Sequence, residues 1–110
     1  MIQETITQIE ARIGKAESLN DEKKKELLDL LSTLKIEISD LSKTHVEQTR
    51  SITGFTEVSI HEAMREEKNP QLLKLSLQGL STSVEEFESS HPKLVGVVNS
   101  ICTFLSNIGI

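Results

Sequence analysis

Isoleucine recurs at positions 2, 6, 9 and 13, at intervals of four, three and four residues. On a helix these intervals place Ile2, Ile6, Ile9 and Ile13 on one narrow stripe, with Gln, Glu, Thr, Arg and Lys around the rest. The spacing predicts a helix over about residues 2–17. Asn20, with Asp21 and Glu22 behind it, has the character of a helix start: a side-chain oxygen for free amides, then acids that oppose the dipole. The second helix repeats the four-three alternation with Leu27, Leu31, Leu34, Ile38 and Leu41, and the count runs on through His45, Gln48, Ile52 and Phe55. A heptad seam of this kind predicts shallow, coiled-coil-like packing angles. The short link between the two helices predicts an antiparallel hairpin. Leu28, Leu30 and Ile36 flank the seam and give it a second neighbour. Continued past Lys43, the second helix would outrun its partner.

Residues 43–69 are ambiguous, because Val46, Ile52, Phe55, Val58, Ile60, Ala63 and Met64 fall on no single stripe. Two readings stand. Gly54 breaks the chain and Ser59-Ile60-His61-Glu62 opens a fresh short helix as a capping box, or the helix continues with Ile52, Phe55, Ser59 and Ala63 on one face. Asn69-Pro70 ends the segment, since the residue before proline avoids the helical region, and Pro70 suits the first turn of the next helix.

Leu73, Leu77, Leu80, Val84 and Phe87 form the seam of that next helix, with Leu72, Leu75 and Gly79 on a second face. Ser89-Ser90-His91-Pro92 is a turn, with Ser90 or His91 as cap, and a last helix spans about residues 92–108. No residue after Lys93 is charged. Leu94, Val98, Ile101 and Leu105 belong to an apolar half of this helix; Gly96, Asn99, Ser100, Thr103, Ser106 and Asn107 make the other half. Small uncharged residues there allow another helix to approach closely, or form a mildly polar exposed face. The segment is too polar to span a bilayer and lacks the basic face of a helix that lies on membranes. The expected fold is all-α: a four- to five-helix up-down bundle of two helical hairpins with long coiled-coil-like helices. Residues 1–110 make a single domain, divided into an N-terminal hairpin (1–42), a variable middle (43–69) and a C-terminal hairpin (70–110).

Composition agrees with helices and narrows the function. The chain has 14 Leu, 11 Ile and 6 Val but three Phe, no Trp or Tyr, five Gly and two Pro, which disfavours a sandwich or barrel. A net charge of −5 opposes binding to nucleic acid, which needs clustered Lys and Arg. The run Lys23-Lys24-Lys25 is enclosed by Asp21, Glu22 and Glu26 and reads as a solvated face. The single cysteine, Cys102, cannot form an internal disulfide and lies in an apolar run, as a buried thiol would. The first ten residues, MIQETITQIE, lack the basic start and apolar block of a secretory leader. A cytoplasmic protein without membrane segments is expected.

Three histidines are the candidates for chemistry. His61-Glu62-Ala63-Met64-Arg65 has half of the zinc-peptidase motif, but Arg65 stands where the second His is needed. Glu57, His61 and Arg65 share one helical line and suit an exposed ion-pair ladder. His45 occupies a seam position, where a polar residue can fix register or sense pH, or simply ends the seam. His91 reads as a turn residue before Pro92. No phosphate loop or nucleophile motif occurs, so neither an enzyme nor a cofactor is expected.

The strings Val84-Glu85-Glu86-Phe87-Glu88, Ser90-His91-Pro92-Lys93-Leu94 and Leu105-Ser106-Asn107-Ile108-Gly109-Ile110 resemble those of a bacterial family of small helical proteins, the domain-of-unknown-function family 4404. The Leu-rich stretch from Leu27 to Leu34 is similar to that family's N-terminal half, and His61-Glu62-Ala63 with Asn69-Pro70 resembles the middle of its longer members. The resemblance implies a small cytoplasmic helical protein and carries no activity or binding residues. From the residues themselves the expected function is a non-enzymatic interaction or scaffold protein that self-associates, as a homodimer first. Val98, Asn99, Ile101, Thr103 and Leu105 are the candidate protein–protein surface, the apolar three being equally suited to ordinary core. The alternative is a small-molecule or metal-binding module using His45 and His61 with nearby carboxylates.

Overall fold

A computed structural model describes residues 2–109; Met1, Ile110 and the side chains of Ile2 and Gln3 lie outside the described residues, and with them the first position of the isoleucine stripe. The chain forms five α-helices: α1 (Ile2–Lys15), α2 (Asp21–Leu41), α3 (Val46–Met64), α4 (Pro70–Val84) and α5 (Pro92–Ile108), with a 3₁₀ turn, Glu85–Phe87, after α4.

The sequence signals for helix starts act as expected at two places. Asn20 Oδ1 accepts from Lys23 N at 2.9 Å, and Asn69 Oδ1 accepts from Leu72 N at 3.0 Å. Pro70 and Pro92 each open a helix, where a missing N–H costs nothing. His91 holds the cap position of α5 without a side-chain cap bond; its Nδ1 lies 2.9 Å from the Ser90 hydroxyl instead.

The seams become the core. Ile6, Ile9 and Ile13 of α1 and Leu27, Leu31, Leu34, Ile38 and Leu41 of α2 are all buried. The same holds for Leu73, Leu80 and Val84 of α4 and for Leu94, Val97, Val98, Ile101, Phe104 and Leu105 of α5. Each such side chain contributes roughly 1.5–3 kcal/mol of burial, so these stripes hold the helices together. Lys35 to Glu10, at 3.1 Å, adds a half-buried tie between α1 and α2.

The second helix does not continue past Lys43; it ends at Leu41. After Leu41 the chain turns through residues 42–45, with Ser42 N bonded to Ile38 O and His45 N to Leu41 O. No Gly or Pro causes this stop. The Ser42 hydroxyl donates to Ser39 O, the carbonyl that the Lys43 amide would take in a continuing helix, and Lys43 N bonds to Asp40 O instead. The seam positions His45, Gln48, Ile52 and Phe55 therefore do not extend α2.

The ambiguous middle is one unbroken helix from Val46 to Met64, through both Gly54 and Ser59, so the capping box at Ser59 does not form. Its inward face is Thr49, Ile52, Thr53, Thr56, Ser59, Ile60, Glu62 and Ala63. Three of the threonines satisfy their hydroxyls on their own helix: Thr49 to Val46 O (2.8 Å), Thr53 to Thr49 O (2.8 Å) and Thr56 to Ile52 O (2.7 Å). That removes the penalty for burying them and leaves a face of small side chains. The helix uses this face from the centre of the bundle, touching α1, α2, α4 and α5; its most extensive partner is α4. The periphery is closed by α1 on α2, α2 on α5 and α5 on α4.

Candidate functional surfaces

Several apolar residues are left outside the core, and four of them gather. Phe55 and Val58 of α3 and Leu72 and Leu75 of α4 are 40%, 47%, 42% and 58% exposed, and they line one shallow depression of about 220 Å³ with Glu62 and Ser76. The ring of Phe55 lies directly over Gly79, where a Cβ would have three ring carbons within 3.0 Å. Beside the depression Glu62 is buried and held by Arg65, Nη1 to Oε1 at 2.9 Å, with His61 Nε2 at 3.9 Å from Oε2. The other strongly exposed apolar side chains, Ile36 on α2 and Val46 at the start of α3, do not line this depression. Isolated residues of that kind are ordinary on a protein surface. A contiguous apolar face is the less ordinary feature.

The ion-pair ladder expected along α3 is replaced by other pairings. Glu57 reaches across to Arg12 of α1 at 3.3 Å, and Arg65 turns to Glu62. The Arg12–Glu57 pair joins two helices but is itself exposed, whereas the local Arg65–Glu62 pair gains from a buried carboxylate.

Of the five residues expected in a protein–protein surface, Val98, Ile101 and Leu105 have no exposure and belong to the chain's own core. Asn99 and Thr103 are exposed. They line an open groove of about 580 Å³ between α2 and α5, opposite Lys23, Glu26 and Leu30. The uncharged half of α5 thus faces outward, carboxamides and hydroxyls against the charged start of α2.

His45 and His61 come to opposite ends of α3, about 24 Å apart at 1.5 Å per residue, so no single ligand can use both. Among the described residues, no three His, Cys, Asp or Glu side chains gather as a metal would require. His45 instead joins an aromatic row that the sequence did not suggest. Its ring meets Phe87 edge-to-face at 5.4 Å, and Phe87 meets His91 in the same way at 5.5 Å. In each histidine Nδ1 lies beside the preceding hydroxyl, Thr44 at 2.7 Å and Ser90 at 2.9 Å. The row ties the α2–α3 turn to the start of α5, a structural contribution worth about 0.5–1.5 kcal/mol per aromatic pair beyond burial.

Cys102 is half-buried, its thiol directed to Leu77 O at 3.9 Å, and burial pushes its pKa above the ordinary thiol value. Among the described residues, no helix is long and apolar enough to cross a membrane.

A five-helix all-α bundle with outward apolar and uncharged faces is the class that this geometry defines. Comparison with known families is more specific: residues 27–110 match the family described as a domain of unknown function, DUF4404, and the chain belongs to it. The match begins at Leu27, inside α2, and so includes the α2 seam, α3, α4 and α5 but not α1. No curated protein and no solved structure matches the chain significantly.

Proposed function

We propose that the protein is a non-enzymatic interaction module that self-associates, most simply as a homodimer, through the face made by α3 and α4. The observation that carries this reading is the contiguous exposure of Phe55, Val58, Leu72 and Leu75. A two-fold interface brings the same patch from both copies together, so an apolar centre meets an apolar centre without needing a complementary partner. Glu62, Arg65 and His61 at the margin supply the polar rim. The α5 face with Asn99 and Thr103 is the weaker candidate, since it offers small polar groups but no exposed apolar centre.

With this reading goes a finer architecture: two hairpins, α1–α2 and α4–α5, with coiled-coil-like seams. Its support is the four-three spacing of the buried α2 residues and the contacts of α1 with α2 and of α4 with α5. A cytoplasmic setting fits a chain whose one cysteine is a free thiol.

The test is a pair of surface variants followed by sedimentation velocity. Val58→Glu with Leu75→Glu places charges at the centre of the patch and is expected to give monomers. Asn99→Arg with Thr103→Arg is expected to leave the assembly unchanged. Assembly that survives the first pair and fails with the second moves the interface to α5 and overturns the proposal.

A further inference from the structure

A second groove, between α4 and α5, carries a different set of groups. Its volume is about 580 Å³, within the roughly 300–1,000 Å³ of small-molecule sites. Pro70, Leu73 and Leu77 form an apolar wall on the α4 side, and Cys102 faces Leu77 from α5. Lys68 and Lys74 are the charged residues at the groove, and no described carboxylate lines it. In a chain of net charge −5 this is a local inversion of sign.

The groove is also ordered from end to end. Gly109 lies against Leu73, and the Cys102 thiol against Leu77, so α5 runs antiparallel to α4 along it. The two lysines flank Pro70 at the Leu73–Gly109 end. The Lys68 ammonium donates to the Ala63 carbonyl, which keeps the charge at that mouth. Beyond them, the groove continues past Leu77 to Gln78 and Ser81. A cationic head and an apolar body are the complement of one shape of molecule.

We infer that this groove binds a linear apolar carboxylate, a medium-chain fatty acid, with its headgroup between Lys68 and Lys74 and its chain along Leu73, Leu77 and Cys102. A neutral apolar molecule gives the two ammoniums no counter-charge, and a cationic one is repelled by them. A small inorganic anion leaves the apolar wall uncovered. The site is independent of the α3–α4 face, so it stands whether or not the chain dimerises.

Because Cys102 is the only cysteine in the chain, its alkylation by iodoacetamide reads occupancy of the groove directly. Decanoate below its micelle concentration is expected to slow alkylation several-fold, decanol less, and acetate or decyltrimethylammonium not at all. Lys68→Ala with Lys74→Ala should reduce decanoate to the level of decanol while leaving helicity and the unliganded rate unchanged. Lys74→Glu, a single change at an exposed position, should turn the preference toward the cationic amphiphile. Absence of protection by decanoate, equal protection by all the ten-carbon amphiphiles, or a preference for decanoate that persists in the Lys74→Glu chain overturns the inference.

Discussion

The Phe55 ring covers Gly79 so closely that the α3–α4 pair has no room for a methyl group at that position. Gly79 is the hole into which α3 sets its one phenylalanine, and the ring then stands half in contact and 40% in solvent. Gly54 and Gly96 are helical too, but a Cβ at either would meet nothing within 4 Å. Alanine at Gly54 or Gly96 should therefore stabilise the fold by about 0.5–1 kcal/mol, the ordinary helix-propensity gain. Gly79→Ala should lose that gain, because the ring must swing off α4, and Phe55→Ala in the same chain should restore it. Urea unfolding of the four variants checks the order; a Gly79→Ala chain as stable as Gly96→Ala would show that the ring contact contributes nothing.

Ser59 has a buried hydroxyl without a hydrogen-bond partner, in a helix whose buried threonines all bond to their own backbone. Removing an unsatisfied polar atom recovers its desolvation cost, about 1 kcal/mol at the low end of the usual range. Ser59→Ala should raise the melting temperature, whereas Thr56→Ala should lower it by leaving a cavity and gaining no relief. Calorimetry on the two variants separates them, and a destabilised Ser59→Ala chain would mean that the hydroxyl has a partner in solution.

These two sites also mark where the sequence was legible and where it was not. The stripes of α1 and α2 were readable because every position was a branched aliphatic at four-three spacing, and each described member from Ile6 to Leu41 is buried. The caps at Asn20 and Asn69 were readable for the same local reason: a short polar side chain reaches only its own helix start. In contrast, α3 inverted the usual signal. Thr49, Thr53, Thr56 and Ser59 went inside while Phe55 and Val58 stayed outside, and hydropathy cannot see that hydroxyls will be satisfied by their own backbone. The end of α2 was hidden too, since Ser42 interrupts the helix only through a particular side-chain bond to Ser39 O. Of the surface expected on α5, Asn99 and Thr103 are exposed and Val98, Ile101 and Leu105 are core, because periodicity places residues on faces but not faces against neighbours. The α3–α4 apolar patch draws on two helices and has no linear signature, although Leu72, Leu75 and Gly79 were legible as a second face of α4.

The Cys102 thiol gives a pH dependence with a definite sign. Burial raises its pKa in the folded chain above the ordinary 9.0, so the folded state keeps a proton that the unfolded state releases. Its contribution to stability is complete below the ordinary thiol value and is lost progressively as pH rises through it. At mildly alkaline pH, alkylation of the folded chain should accordingly be several-fold slower than alkylation of the chain unfolded in urea. Equal rates in the two states would show a thiol that is neither buried nor shifted.

Whether two copies of the chain join at all is decided most directly by the mass of the native protein in solution. Light scattering on the size-exclusion peak at micromolar concentration should give twice the chain mass of 12.3 kDa, falling toward the single-chain value on dilution. A mass of 12.3 kDa that does not change with concentration would contradict self-association.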